Sequence, residues 1–303
     1  MRVAVNGVHL NVERLTPVDR PDTDQRVDVS ASKLVLLHGF TGSYRTWAPL
    51  AGMLGHRYEF VAVVLLGHGS SDSPADPNRY RMERCIDDLL ALFDRLELER
   101  VNLLGYSMGG RVALHLALVA ASRIERLILE SASPGLQSPA EREARVRSDR
   151  ELADSLEREG IKAFVDAWER LPLFASQARL APEVRAALRA QRLSGDPIGL
   201  ANSLRGLGAG TQEPVWDRLG DLSQPTLLMA GELDARYRAL GRLMAERMPA
   251  AQLSVIPDAG HAVHLEQPAQ FVEQVLSFLQ TRPEMRHVLR GAGADTEVRA
   301  TFN

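Results

Sequence analysis

The chain has one cysteine, Cys85, and two lysines, Lys33 and Lys162, among 303 residues. A single thiol excludes an internal disulfide and any all-cysteine metal site. Apolar runs are short, and none approaches the roughly 20 residues that a membrane-spanning helix requires. The opening stretch MRVAVNGVHLNVERL alternates apolar and polar residues and lacks the apolar core of a secretory leader. A net charge of −3 gives no reason to expect nucleic acid. His56, His115, His264 and His287 carry no spacing that suggests metal ligation. What is present is ordinary for a globular protein: 45% apolar and 25% charged residues, which excludes wholesale disorder. The expectation is a cytoplasmic protein without stable membrane association. The oligomeric state is not legible, and a monomer is the default. The scarcity of lysine leaves 34 of the 36 basic residues as arginine. Coding in a GC-rich genome produces such a bias, so an arginine must be singled out by position.

Two short strands are expected at Arg2–Val5 and Val8–Leu15, followed by a polar loop through Pro17 and Pro21. Continuous apolar runs then recur at Leu34–Leu37, Phe60–Leu66, Val101–Leu104 and Leu127–Leu129. Runs without alternation are what parallel strands covered on both faces look like. Between them, Met82–Leu96 has helical spacing, with Cys85, Ile86, Leu89, Leu90, Phe93 and Leu96 on one face. Cys85 therefore reads as core packing rather than a reactive thiol, and Asp87 and Asp88 read as solvated charge on the opposite face. The rhythm stops after Glu130 and resumes at Thr226–Ala230, with a helix near Ala235–Met248, a strand at Gln252–Ile256 and a helix near Pro268–Leu279. The interval holds helical patterns rich in arginine and glutamate. The organisation expected is an α/β core over residues 1–132 and 225–280, a helical lid inserted at 133–224, and a frayed tail at 281–303. A lid there would sit over the strand ends, where open α/β sheets bind ligands.

Gly105-Tyr106-Ser107-Met108-Gly109 lies between a strand and the helical run Arg111–Val119. In that context the pentapeptide reads as a nucleophile elbow, whose glycines allow a sharp turn that lifts the serine hydroxyl above the sheet edge. Asp234 closes the turn after one later strand and His261 sits in Asp258-Ala259-Gly260-His261 after the next. The order Ser, Asp, His is the order this architecture uses. His261 would take the hydroxyl proton, and Asp234 would hold the imidazole tautomer. Leu36-Leu37-His38-Gly39-Phe40 follows the first core strand, so the backbone N–H of Phe40, with that of Met108, can face a developing oxyanion. His38 and His68 read as structural hydrogen-bonding histidines. Arg111 lies four residues after Ser107, on the same helix face.

These features resemble the α/β-hydrolase superfamily. The lid narrows the resemblance, because the lid is where branches of that superfamily diverge. Ser133-Pro134-Gly135-Leu136-Gln137, Arg142, Arg145, Arg147-Ser148-Asp149-Arg150 and Phe164–Trp168 are similar to the menaquinone-pathway 2-succinyl-6-hydroxy-2,4-cyclohexadiene-1-carboxylate synthases. So are Pro172–Ser176, Ser203–Gly208 and Trp216–Leu219, and the likeness runs from about Leu34 to Leu279. Val64 departs from the pattern, standing where relatives often carry an aspartate before the Gly-His-Gly turn.

The resemblance implies a lyase that eliminates pyruvate from a small tricarboxylate, using the triad to abstract a proton, with no cofactor and no metal. It implies that Arg111, Arg145 and Arg192 bind carboxylates, and that Tyr106 and Trp168 line the pocket. A guanidinium suits that task through its planar two-pronged fork. A plainer reading stands beside it for the lid arginines. Glu141 with Arg145, and Glu143 with Arg147, have i,i+4 spacing that would simply solubilise a helix. The alternative activity is a serine hydrolase of an ester, thioester or carbon–carbon bond, for which a roomy apolar pocket would argue. A non-catalytic binding protein on the same fold is the remaining reading, and it would have no need of an intact Ser-Asp-His set.

Overall fold

The structure is a computed structural model that describes residues 1–15, 32–55 and 58–281. The expected loop through Pro17 and Pro21, His56, His287 and the tail from residue 282 lie outside the described residues.

Eight strands form one sheet: β1 (Arg2–Val5), β2 (Val8–Leu15), β3 (Ser32–Leu37), β4 (Tyr58–Val64), β5 (Val101–Tyr106), β6 (Ile124–Glu130), β7 (Thr226–Gly231) and β8 (Ala251–Ile256). Their spatial order is β1-β2-β4-β3-β5-β6-β7-β8. β2 pairs antiparallel with β1 and with β4, and every other pair is parallel. The continuous apolar runs are explained by coverage on both faces. In β3, Val35 and Leu37 enter one core layer while Leu34 and Leu36 enter the other. The first layer is closed by helices α2 (Met82–Arg95) and α3 (Met108–Val119), the second by α1 (Ala48–Leu54) and α9 (Pro268–Gln280). Helix α3 buries residues on nearly every side, as a helix with so uniformly apolar a sequence must.

Between β6 and β7 the described chain contains no strand. It holds helices α4 (Pro139–Trp168), α5 (Pro182–Leu193) and α6 (Pro197–Leu207), and a third apolar cluster joins Ala153, Leu156, Phe164 and Val165 of α4 to Leu200, Ala201 and Leu204 of α6. Helix α4 breaks at Gly160, whose φ of 82° and ψ of 171° lie in a region that essentially only glycine adopts. The break swings Phe164 and Trp168 out of line with the first half of the helix. Helix α7 (Ala235–Arg247) follows β7, and a short helix α8 (Val263–Glu266) precedes α9.

Two sequence expectations need correction. The strand expected at Phe60–Leu66 ends at Val64, because the Leu65 N–H donates to His38 Nε2 (3.0 Å) instead of to a neighbouring strand. Asp88 is not solvated: it is 2% exposed. Arg79 grips both its oxygens at 2.7 and 2.8 Å, and Asn6 Nδ2 donates to it at 3.0 Å. That network ties α2 to the turn between β1 and β2. Cys85 is half-buried beside it, and burial pushes its thiol up to about 12, so it carries no thiolate near neutrality.

Candidate active site

Strand order reverses at β3, whose neighbours are β4 on one side and β5 on the other. The C-terminal ends of β3 and β5 therefore diverge to helices on opposite faces and leave a crevice, which is where open α/β sheets take ligands. His38-Gly39-Phe40 leaves β3 at this point and Ser107 leaves β5. Ser107 has φ 50° and ψ −105°, a strained backbone for a residue with a Cβ. The strain is held by packing. A Cβ on Gly105 would come within 2.3 Å of the Gly109 oxygen, and one on Gly109 within 2.3 Å of the Leu37 oxygen, so only glycines let β5, α3 and β3 meet this closely. The Ser107 N–H donates to the Glu130 carbonyl at 2.9 Å, which anchors the turn to β6.

His261 Nε2 lies 3.0 Å from Ser107 Oγ, and His261 Nδ1 lies 2.8 Å from Asp234 Oδ2. Asp234 is the N-cap of α7, and its other oxygen accepts the Tyr237 N–H at 3.2 Å. Its carboxylate is thereby aimed before it meets the histidine. His261 and Asp234 are both buried. A carboxylate against Nδ1 leaves Nε2 facing the serine hydroxyl as an acceptor, the arrangement a general base requires.

The turn after β3 is organised by His38. Its Nε2 accepts the Leu65 N–H, so the ring proton sits on Nδ1, which donates to the Gly39 carbonyl at 2.7 Å. The Gly42 N–H reaches the same oxygen at 2.9 Å. In a trans peptide the C=O and N–H point in opposite directions. Two donors holding the Gly39 carbonyl therefore direct the Phe40 N–H away from them. Burial, with the neighbouring His68, lowers His38 to about 3, so the ring stays neutral. The Met108 N–H begins α3 and has no partner within that helix.

A chamber of about 110 Å³ opens on Ser107 and His261, lined also by Phe40, Met108, Arg111, Arg145, Tyr106 and Trp168. Arg111 donates to the Leu207 carbonyl at 2.8 Å, and burial brings its guanidinium down to about 10, still cationic near neutrality. Arg145 donates through Nε to Asp149 Oδ1 at 2.8 Å, so its i,i+4 partner is Asp149 and not Glu141. Arg192 is not in this chamber. It is 6% exposed, pairs with Glu169 at 3.2 Å, bonds Gln177 at 3.2 Å and lies over the Phe174 ring. It lines a second, mostly apolar cleft of about 600 Å³, which shares Phe40, Tyr106, Trp168 and Phe174 with the first chamber. Trp168 meets Phe40 and Phe174 edgewise or tilted, so these rings form the partition between the two spaces, and Phe164 stacks behind Trp168. Burial keeps the Tyr106 hydroxyl protonated, raising it well above its ordinary value.

Sequence reasoning missed the residues that hold the histidine loop. Glu266 accepts the Gly260 N–H at 2.8 Å and the Ala262 N–H at 3.3 Å, bracketing His261, whose carbonyl accepts from Ser131 Oγ at 2.8 Å. Glu130, fully buried, receives both the backbone N–H and Nδ1 of His264. No local spacing announces such partners, except that Asp149 stands at i+4 from Arg145.

Residues 34–274 match the model of the alpha/beta hydrolase family. A Bacillus subtilis (strain 168) relative, whose name gives 2-succinyl-6-hydroxy-2,4-cyclohexadiene-1-carboxylate synthase as a provisional assignment, is 43% identical over 82% of this chain and 91% of its own. The synthase of that name from Salmonella paratyphi C (strain RKS4594) is 33% identical over 82% of this chain and 94% of its own. Among solved structures, MenH from S. aureus superposes with a TM-score of 0.81 at 33% identity, covering 90% of this chain and 98% of that one. The chain belongs to the alpha/beta hydrolase family, in the branch that contains the 2-succinyl-6-hydroxy-2,4-cyclohexadiene-1-carboxylate synthases.

Proposed function

We propose that this protein is a carbon–oxygen lyase of menaquinone biosynthesis. It eliminates pyruvate from 2-succinyl-5-enolpyruvyl-6-hydroxy-3-cyclohexene-1-carboxylate to give 2-succinyl-6-hydroxy-2,4-cyclohexadiene-1-carboxylate. The observation that carries the reading is a Ser-His-Asp relay opening on a chamber that also presents Arg111 and Arg145. A chamber with two guanidiniums beside the reacting serine suits a substrate with several carboxylates and not a greasy acyl chain.

In this mechanism Ser107 removes the ring proton conjugated to the succinyl ketone, and His261 receives the serine's own proton, its cation stabilised by Asp234. The electron pair moves onto the ketone oxygen, where the Phe40 and Met108 N–H groups hold the enolate. Collapse of the enolate forms the second ring double bond and breaks the ring carbon–oxygen bond. The enolpyruvyl group leaves as the enolate of pyruvate and takes on carbon the proton that Ser107 abstracted, and Ser107 then recovers its own proton from His261. Arg111 and Arg145 grip carboxylates from within the chamber, while Tyr106 and Trp168 shape it. Arg192 binds a third carboxylate only across the aromatic partition. Ligand sites of this kind occupy about 300–1,000 Å³, so the 110 Å³ chamber alone is too small. The partition of Trp168 and Phe174 must shift to join the two spaces as substrate binds. The domain organisation fits this assignment, with residues 133–224 serving as the lid that carries the partition, and the reaction belongs to the cytoplasm.

The test is pyruvate release from the enolpyruvyl cyclohexene substrate. Wild type should release it rapidly, Ser107→Ala should bind substrate without turnover, and Arg111→Ala should lose about 10–100-fold in kcat/KM, the worth of a charge-assisted contact. Release by wild type no faster than the spontaneous background sinks the assignment. One observation favours the hydrolase reading, namely the mostly apolar 600 Å³ cleft beyond the partition. Trapping an acyl group on Ser107 with a turned-over ester would support it.

A further inference from the structure

Of the three arginines assigned to carboxylates, two already face one. Arg145 holds Asp149, and Arg192 holds Glu169. Arg111 makes no ion pair among the described residues. Its fork is held instead by two neutral acceptors, the Leu207 carbonyl at 2.8 Å and Gln212 Oε1 at 3.1 Å. Gln212 is 2% exposed and lies just beyond α6, in the stretch that returns the chain to the core. Its amide orientation follows from its partners. A guanidinium only donates and a carbonyl only accepts, so Oε1 faces Arg111 and Nε2 faces the Ser133 carbonyl at 3.4 Å. Nε2 also reaches His115 Nε2 at 3.1 Å, which must then be an acceptor on a neutral ring. Burial, together with Arg111, lowers His115 to about 4, in keeping with that state.

One side chain thus connects the α3 face carrying Arg111 and His115 to the start of the inserted helical segment at Ser133 and to its stretch beyond α6 at residue 212. It does so without charge. A glutamate fits the same volume and would complete an ion pair with Arg111, so the choice of an amide leaves a cation beside Ser107 with no carboxylate in contact, Asp149 acting on it only at longer range while it pairs with Arg145. We propose that Gln212 is the positioning residue for anion recognition. It fixes the Arg111 guanidinium toward the chamber while keeping it free of a contacting carboxylate, making Arg111 the anchor that takes the substrate's first carboxylate before Asp149 and Glu169 release the other arginines. The inference rests on the lyase reading for the identity of the substrate, and its geometry requires only a carboxylate.

The experiment uses three readouts on wild type, Gln212→Glu and Gln212→Ala. They are pyruvate release, calorimetric binding of tricarballylate as a simple tricarboxylate probe, and labelling of Ser107 by an uncharged fluorophosphonate, in which the serine oxygen bonds phosphorus and fluoride departs. Gln212→Glu should raise KM and the probe Kd by about 30-fold or more, and Gln212→Ala by about fivefold to tenfold, with the change carried by KM more than kcat. Labelling should stay within about threefold of wild type, which separates lost anion binding from a collapsed site. Gln212→Glu, as the near-isosteric variant, keeps the test open should Gln212→Ala fold poorly. Equal probe binding by wild type and Gln212→Glu, including none by either, overturns the proposal. So does a fall in kcat at unchanged KM, or a Gln212→Glu defect no larger than that of Gln212→Ala. Probe binding that follows the expected order while wild type releases no pyruvate would uphold Gln212 and defeat the lyase reading.

Discussion

At the scale of single residues, the site depends on groups held in one protonation state and one direction. His38 is the clearest case. Its ring passes orientation from the Leu65 N–H to the Gly39 carbonyl, and the rigid peptide passes it on to the Phe40 N–H. His38→Ala should lower kcat by about 10–100-fold with a smaller change in KM, because a misdirected oxyanion donor weakens the transition state more than the ground state. Steady-state kinetics on a variant shown to be folded checks this. A kcat within a factor of two would mean that the Gly42 N–H alone holds the turn. The sequence identified His38 as a hydrogen-bonding residue, but not what it bonds to, since Leu65 is 27 residues away.

At the scale of elements, the lid's longest helix owes its shape to one residue. Nothing lies within 4 Å of a Cβ placed on Gly160, so space does not demand glycine there, but its φ of +82° does. Gly160→Ala should cost about 1–3 kcal/mol of stability, the usual penalty for a side chain in that backbone region. If α4 instead straightens through residue 160, Trp168 leaves the partition, with Phe164 behind it, and KM rises along with the loss. Urea unfolding with kinetics on the same preparation reads both, and a variant as stable as wild type with unchanged KM would count against the account. The sequence showed helical patterns across the lid interval without delimiting the individual helices. It could not announce the break, because Gly160 sits among helix-forming neighbours and a lone glycine is compatible with an unbroken helix. Similarly, Asp88 looked solvated because helical periodicity places residues only relative to their own helix. Arg79 and Asn6, which bury it, come from other segments.

At the scale of the whole molecule, two buried histidines, His38 and His68, and the half-buried His115 make stability depend on pH. Burial lowers His38 to about 3, and His68 and His115 to about 4, from an ordinary value near 6.5. The unfolded chain therefore takes up protons between about pH 6.5 and 4 that the folded chain refuses. The stability these groups contribute is complete above about pH 6.5 and is lost as pH falls through that window, by up to about 1.4 kcal/mol per pH unit for each histidine. Urea midpoints between pH 7.5 and 5 should fall accordingly, and His68→Gln should flatten the slope by about one third. Midpoints that stay level between pH 7 and 5 would contradict the burial of these rings in neutral form.

The strands of the core, the elbow at Ser107 and the order Ser107, Asp234, His261 were legible without coordinates, because each is written in local terms. A strand covered on both faces needs an unbroken apolar run, and a turn as tight as the elbow needs glycine at 105 and 109. What only the tertiary structure decided is which charges meet. Arg192 stands across an aromatic partition from Ser107, Arg145 and Arg192 each have a carboxylate, and Arg111 has a neutral amide. The Arg111–Gln212 pairing joins residues 101 positions apart. Such pairings are set by how helices dock on the sheet, and docking is a property of summed packing that no local pattern encodes.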